Sequence, residues 1–363
     1  MRGLAIGVMS GTSLDGADAV LADFSASPPR CIASASVPYP RELRESLLAL
    51  SAPCADGLDA AGLCTVQLAA IYARVVSQVL ERSAVSPSAI EVVGCHGQTV
   101  RHRPGLGFSV QLNDAARLAE SCGIDVVADF RSRDIAAGGQ GAPLVPAFHD
   151  EVFRHPSLHR AIVNIGGIAN VSSLRPGKPF AGFDCGPGNV LMDAWSRRHR
   201  GTDYDEDGAW AAGGHPNAAL LASLKSDPYF ALPPPKSTGR ELFGEAWLAA
   251  RLPEGLAPVD VQATLLELTA SSIVEAIDRF CDRTDEIYLC GGGARNARLA
   301  ARIGELASPR PVRPTDALGV PTGLVEAMAF AWLAIKCVRR EPVDLGAVTG
   351  ASHPCVLGAI YPA

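Results

Sequence analysis

The sequence predicts an α/β protein of two domains. Three observations carry that prediction. Strand-like and helix-like patterns alternate twice over along 363 residues, a length that accommodates two ordinary domains. Glycine-rich turns directly follow three of the apolar strands. A mixed flexible and rigid stretch, SRDIAAGGQGAPLVP, falls near 130–150, where a link between halves is expected.

In the first half, GVMSGTSLDGADAVL reads as two apolar strands of a hairpin over 4–24 around a small polar turn. A further strand follows near 31–37. The segment 64–82 has Leu68, Ile71, Tyr72, Val75, Val76 and Val79 on one helical face. Next come a strand at 90–95, a loop HGQTVRHRPG, a helix at 113–122 and a strand at 124–128. The second half repeats the order. Strands at 161–165 and 168–174 flank Gly166 and Gly167, and a helix at 187–199 follows a Gly-Pro break. A helix at 259–281 has Leu265, Leu268, Ile273, Ala276 and Phe280 on one side, and the strand EIYLC (286–290) runs into Gly291-Gly292-Gly293. Residues 201–258, rich in Gly, Pro and Asp, read as inserted loops and short helices. The expected domains are 1–135 and 136–363, with a cleft between them.

Composition narrows the function. A net charge of −6 leaves no basic footprint for nucleic acid or anionic membrane. Ten cysteines without a CxxC pair read as scattered reduced thiols of a cytoplasmic protein, not as a zinc or redox site. The opening apolar run is too short for a secretory signal, and GLVEAMAFAWLAI carries Glu326 and is too short to span a bilayer.

The chemistry concentrates at glycine turns. GTSLDGAD has Walker-like glycine spacing, but Ala17-Asp18 stand where Lys-Ser/Thr belongs, so it is not a P-loop. GGIAN and GGGARN do not form GxGxxG either. Strand-end turns can still aim backbone N–H groups at phosphate oxygens. Hydroxyls at Ser10, Thr12 and Ser13 add donors, and Asp15 could hold Mg²⁺ directly or through water. Any one of these could also be an ordinary tight turn.

Asp184, set among glycines in GFDCGPGN, is a candidate general base, or else the cap of the helix that follows. His96, after a buried strand, could be a satisfied structural residue, or with Gln98 and Thr99 it could bind polar groups of a substrate. Arg131 and Arg133 could pair with a substrate carboxylate or with Asp129 and Asp134. Glu326, on an otherwise apolar helix, needs a partner and points to a cleft-facing role. Asn189 and Asp193 could simply belong to their helix.

Taken together these residues carry a resemblance. The two halves, with a phosphate hairpin, a second glycine hairpin and a late GGG turn, resemble the actin, Hsp70 and sugar kinase superfamily, whose actin-like ATPase domains have a ribonuclease H-like fold. Within it MSGTSLDGAD (9–18), CHGQTVRH (95–102), VNIGGIANVS (163–172), GFDCGPGNVLMD (182–193) and CGGGARN (290–296) resemble the anhydro-N-acetylmuramic acid kinase family. The resemblance runs along essentially the whole chain. It implies a cytoplasmic enzyme that uses ATP, Mg²⁺ and water to convert 1,6-anhydro-N-acetylmuramic acid to the 6-phosphate in peptidoglycan recycling. It also implies a homodimer, and Asp184 as base. ATP is then expected at Gly11, Thr12, Ser13, Leu14, Asp15, Gly16, Ala17 and Asp18, at Gly166, Gly167 and Asn170, and at Gly291, Gly292, Gly293 and Asn296. The sugar is expected at His96, Gln98, Thr99, Arg131 and Glu326. Rival readings are a kinase of an ordinary sugar hydroxyl and an actin-like or chaperone-like ATPase driven by a partner.

Overall fold

The computed structural model describes residues 3–11, 13–50, 57–240 and 242–363. The chain opens with β1 (Leu4–Met9), β2 (Gly16–Asp23) and β3 (Arg30–Pro38), an antiparallel meander. Helices α1 (Arg41–Leu50) and α2 (Gly57–Ser83) follow, then β4 (Val92–Cys95), β5 (Gln98–Arg103), β6 (Phe108–Leu112), α3 (Ala115–Cys122) and β7 (Val126–Ala128). Two short helices, α4 (Ser132–Ala136) and α5 (Val145–Phe153), end this stretch.

The middle of the chain holds β8 (Arg160–Ile165), β9 (Ile168–Leu174), β10 (Ala181–Pro187), α6 (Val190–Arg200), α7 (Ala218–Lys225), α8 (Glu245–Ala249) and α9 (Pro258–Phe280). It continues through β11 (Glu286–Cys290), α10 (Ala297–Ala307) and β12 (Val312–Pro314). The chain closes with α11 (Val325–Val338), α12 (Gly346–Thr349) and β13 (Ala359–Tyr361).

Contacts divide the chain into one unit of 1–152 with 319–363 and a second of 153–318. The expected boundary at 135/136 therefore shifts, and the last residues leave the second domain. Their reason for joining the first unit is physical. β13 adds antiparallel to β7, while α11 covers β1 and β4 with a face on which Ala327, Phe330, Ala331 and Ala334 are buried. The region near 130–150, expected to link the halves, carries α4 and most of α5 within the first unit.

The two large sheets share one strand plan. The first runs β13-β7-β4-β1-β2-β3, with β1, β4 and β7 parallel and the β1–β3 meander antiparallel. The second runs β10-β9-β8-β11-β12, with β8, β11 and β12 parallel and the β8–β10 meander antiparallel. Each unit thus places a meander beside parallel strands whose C-terminal ends open onto turns.

Local chemistry sets the helix ends. The Asp114 carboxylate accepts the Arg117 N–H at 2.9 Å and starts α3, which Gly123 closes in the left-handed region. Pro258 opens α9 at its first turn. α2 is long and apolar enough to cross a membrane by composition, yet its apolar face is core. Leu68, Tyr72, Val75, Val76 and Val79 are fully buried against β2 and β3. The stretch HGQTVRHRPG, expected as a loop, forms most of the β5–β6 hairpin instead. Half-buried residues from Thr99 to His102 suit strand pairing, and Pro104-Gly105 make the turn.

Candidate active site

In the first unit the turn between β1 and β2 is built on its backbone. The Leu14 N–H donates to Gly11 O at 3.3 Å, with Leu14 at φ +60° and its side chain buried. The Ser13 hydroxyl donates to Asp15 Oδ1 at 2.7 Å, and the Asp15 carbonyl accepts the Tyr39 N–H at 3.0 Å. Ala17 already sits in the sheet with its side chain in the core, and Asp18 lies beside it at the surface. Thr12 lies outside the described residues.

A buried polar network holds that turn from below. The Ser10 hydroxyl donates to Gly97 O at 2.9 Å and lies 2.9 Å from the Tyr72 hydroxyl. Gln98, fully buried, donates from Nε2 to Gly11 O at 3.2 Å and accepts at Oε1 from the Tyr39 hydroxyl at 3.4 Å. The Gln98 amide thus ties Gly11 to Tyr39, whose own N–H donates to Asp15 O. Thr99 Oγ1 accepts from the Gln111 amide across the hairpin at 3.2 Å.

His96 follows β4 and is buried, with its ring 4.6 Å from that of Phe330 on α11. Arg131 Nη2 lies 2.8 Å from His96 Nε2, and its Nη1 donates to Gly141 O at 2.6 Å. Burial and the Arg131 charge hold the imidazole well below its usual titration range. A neutral ring that accepts at Nε2 carries its proton on Nδ1, and that buried atom has no hydrogen-bond partner. Glu326, half-buried, stands one helical turn before Phe330 on α11, so both lie on the face that meets His96. Arg133 lies on α4 and is exposed.

In the second unit, strand register brings four residues of three predicted motifs into one row. Asp184 on β10 faces Asn170 on β9, Asn170 faces Asn164 on β8, and Asn164 faces Cys290 on β11. Cys290 leads into Gly291-Gly293, whose turn is a short 3₁₀ segment. A Cβ at Gly293 would stand 2.3 Å from Ile165 Cγ2 and 2.7 Å from Asn189 Oδ1, so only glycine fits there. The carbonyls of Gly166 and Gly167 accept the N–H groups of Asn189 and Gly188, each at 2.9 Å, which ties the second glycine turn to the start of α6. Asn296 caps α10 by accepting the Leu299 N–H at 3.0 Å.

Asp184 sits at a bulge of β10 and is half-buried. Residues 229–238, within the stretch 201–258 that the sequence marks as an insertion, hold it. The Asp184 N–H donates to Lys236 O at 3.1 Å, the Tyr229 hydroxyl donates to Asp184 O at 2.8 Å, and the Thr238 N–H donates to Asp184 Oδ2 at 2.9 Å. Lys236 is buried, with its ammonium 4.7 Å from the Tyr229 ring centroid and 5.3 Å from that of Phe280; burial pushes it down. The available signal was a Lys-Ser-Thr-Gly-Arg run after three prolines, polar residues with no helical or strand period. Asp184 does not cap α6, which begins at Val190 behind Asn189.

No group of three His, Cys, Asp or Glu residues that could hold a metal occurs among the described residues. Asp15 fits a Mg²⁺ ion that arrives with phosphates, since such an ion needs only one or two protein carboxylates. The exposed Asp15 side chain at a backbone-lined turn meets that requirement.

A family model described as anhydro-N-acetylmuramic acid kinase matches residues 3–363. The chain is 52% identical over 360 residues to the anhydro-N-acetylmuramic acid kinase of Nitrosospira multiformis, covering 99% of this chain and 98% of that one. It is 54% identical over 365 residues to that of Bordetella pertussis, at 99% and 96% coverage. Among solved structures it is similar to (R)-2-hydroxyglutaryl-CoA dehydratase component A of Acidaminococcus fermentans, with a TM-score of 0.50 and 14% identity over 92% of this chain and 98% of that one. That likeness is one of fold, and the fold is the actin-like ATPase class.

Proposed function

The chain belongs to the anhydro-N-acetylmuramic acid kinase family, and on that premise we propose that it opens 1,6-anhydro-N-acetylmuramic acid with water while moving the ATP γ-phosphoryl group to O6. The products are N-acetylmuramic acid 6-phosphate and ADP, which places the enzyme in peptidoglycan recycling in the cytoplasm. A homodimer belongs to the same reading.

The observation that carries the proposal is the hold on Asp184. Its backbone is fixed at N and O, and its carboxylate at Oδ2, by one segment. A base that must aim a water at one carbon needs such restraint. Each carboxylate oxygen has two lone-pair sites, so the Thr238 N–H leaves acceptor capacity for water.

In the anhydro sugar, O6 is bonded to C1 and cannot attack ATP until that bond breaks. Asp184 takes one proton from water as the water oxygen bonds to C1. The C1–O6 pair then passes to O6, which bonds to the γ-phosphorus as the bond to ADP breaks. No separate acid is required, because phosphorus takes the place of the proton on the leaving oxygen.

The other assignments follow by unit. In the first, the turn from Gly11 to Asp18 is assigned to phosphate, with Gln98 and Ser10 behind it. His96 Nδ1, Thr99, Arg131 and Glu326 are assigned to the sugar. In the second, Gly166, Gly167, Asn170, Gly291, Gly292, Gly293 and Asn296 are assigned to nucleotide, with Asn296 acting through the helix it caps. Mg²⁺ held with Asp15 would spread the phosphate charge.

ADP release should be measured with the anhydro sugar, with its opened form and with no sugar. The proposal expects release with the anhydro sugar alone. Equal release with the opened form would favour a kinase of an ordinary hydroxyl, and release with no sugar would favour a partner-driven ATPase.

A further inference from the structure

Asp184 alone cannot fix the direction of a water. One hydrogen bond leaves the molecule free to swing about the acceptor, and the lone pair that attacks carbon must be held by a second contact. A hydroxyl suits that purpose, since it donates as well as accepts.

Thr238 carries such a hydroxyl in the right place. Its N–H donates to Asp184 Oδ2 at 2.9 Å, and only the path N, Cα, Cβ separates that nitrogen from Oγ1. Thr238 Oγ1 is buried and has no hydrogen-bond partner. A buried hydroxyl without a partner costs stability, and beside a candidate base it is placed to pair with a ligand atom. The backbone that carries the hydroxyl is held at two further points. Lys236 O accepts from Asp184 N–H at 3.1 Å, and the Lys236 ammonium donates to Tyr229 O at 3.3 Å. Residues 236–238 therefore lie along β10 as a fixed strap.

We infer that Thr238 Oγ1 is the second holder of the nucleophilic water, so that Thr238 and Asp184 grip one water molecule between them. This rests on Asp184 being the base. The hydroxyl moves no proton in net terms. Water gives one proton to Asp184 and keeps the other on the new C1 hydroxyl, while Thr238 directs the oxygen lone pair toward C1.

The test is a set of variants of the full chain, assayed with the anhydro sugar and ATP. Thr238→Val keeps the N–H and the shape but removes the hydroxyl; Thr238→Ser keeps the hydroxyl. Valine should lower kcat by about tenfold to 100-fold with KM for both substrates within about twofold. Serine should restore most of the loss. ATP binding should match wild type in both, and melting should match wild type in serine and match or exceed it in valine, which loses an unpaired buried hydroxyl; a merely structural role would lower melting instead. Thr238→Ala serves in the same way if the valine variant does not fold. Wild-type kcat in the valine or alanine variant would overturn the inference, as would equal loss in valine and serine. Asp184→Asn, run alongside, separates the two levels. If it is inactive while Thr238→Val is fully active, only the role of Thr238 fails. If it is active, the base assignment itself fails.

Discussion

Gly7 and Gly94 are register partners in the parallel β1–β4 pair, and the backbone of α11 lies across both. A Cβ on Gly7 would stand 1.8 Å from Ala327 O, and one on Gly94 would stand 2.1 Å from Phe330 O. The same contact sets the depth of Phe330 against His96. Gly7→Ala and Gly94→Ala should each destabilise the protein by about 1–3 kcal/mol or more, because helix and sheet must separate. Gly304→Ala, on open α10 surface, should instead gain up to about 1 kcal/mol. Urea unfolding of the three variants checks the order.

A second prediction concerns Asp184→Asn. The amide keeps the shape and accepts the Thr238 N–H through its oxygen, so melting temperature and ATP binding should change little. Turnover should fall by several orders of magnitude, since no other base is assigned to the water. Turnover within threefold of wild type would remove Asp184 from the role.

The Ser10–Tyr72–Tyr39–Gln98 network gives a third. Tyr72→Phe removes a fully buried hydroxyl that lies 2.9 Å from Ser10 Oγ and 3.4 Å from the Tyr39 hydroxyl. Stability should drop by about 0.5–1.5 kcal/mol. KM for ATP should rise more than KM for the sugar, because Ser10 borders the turn assigned to phosphate. A variant that changes only the sugar constant would contradict the assignment of Gly11–Asp18.

Much of this fold was legible because the strands that carry it are long apolar runs ended by glycine. β1, β2, β8, β9 and β11 all lie where alternation and punctuation placed them. In the closing part of the chain the helix of GLVEAMAFAWLAI was legible and is α11, but its place in the first unit was not. β13 is three residues, and its partner β7 lies more than two hundred positions away, so no local pattern records the pairing. Glu326 and His96 likewise come to the same region only through α11. Thr238 is not legible for a related reason: its link to Asp184 is made by a backbone N–H, which any residue but proline could supply.

Buried histidines give a fourth prediction, on pH. Burial pushes His149 down to about 3 from an ordinary 6.5, and burial with Arg131 holds His96 well below that value. Between the folded and unfolded values the unfolded chain binds more protons, so stability rises with pH there. Their contribution is complete above about pH 6.5 and is lost as pH falls, for His149 toward about 3, at most about 1.4 kcal/mol per pH unit for each group. Urea midpoints for wild type and His149→Gln between pH 7.5 and 4.5 test this. The variant should show the shallower decline, and an identical slope would contradict the account.

The central claim is that water held by Asp184 attacks C1 in one displacement. In the anhydro sugar O6 leaves from the β face, so water must arrive from the α face. A covalent Asp184–sugar intermediate would need two displacements and would deliver the opposite anomer. The most direct test is reaction in ¹⁸O-water, followed by NMR before mutarotation. The account predicts the α anomer of the 6-phosphate first, with label at C1 and the original O6 in the phosphate ester. Initial β product, or label in the ester oxygen, would contradict it.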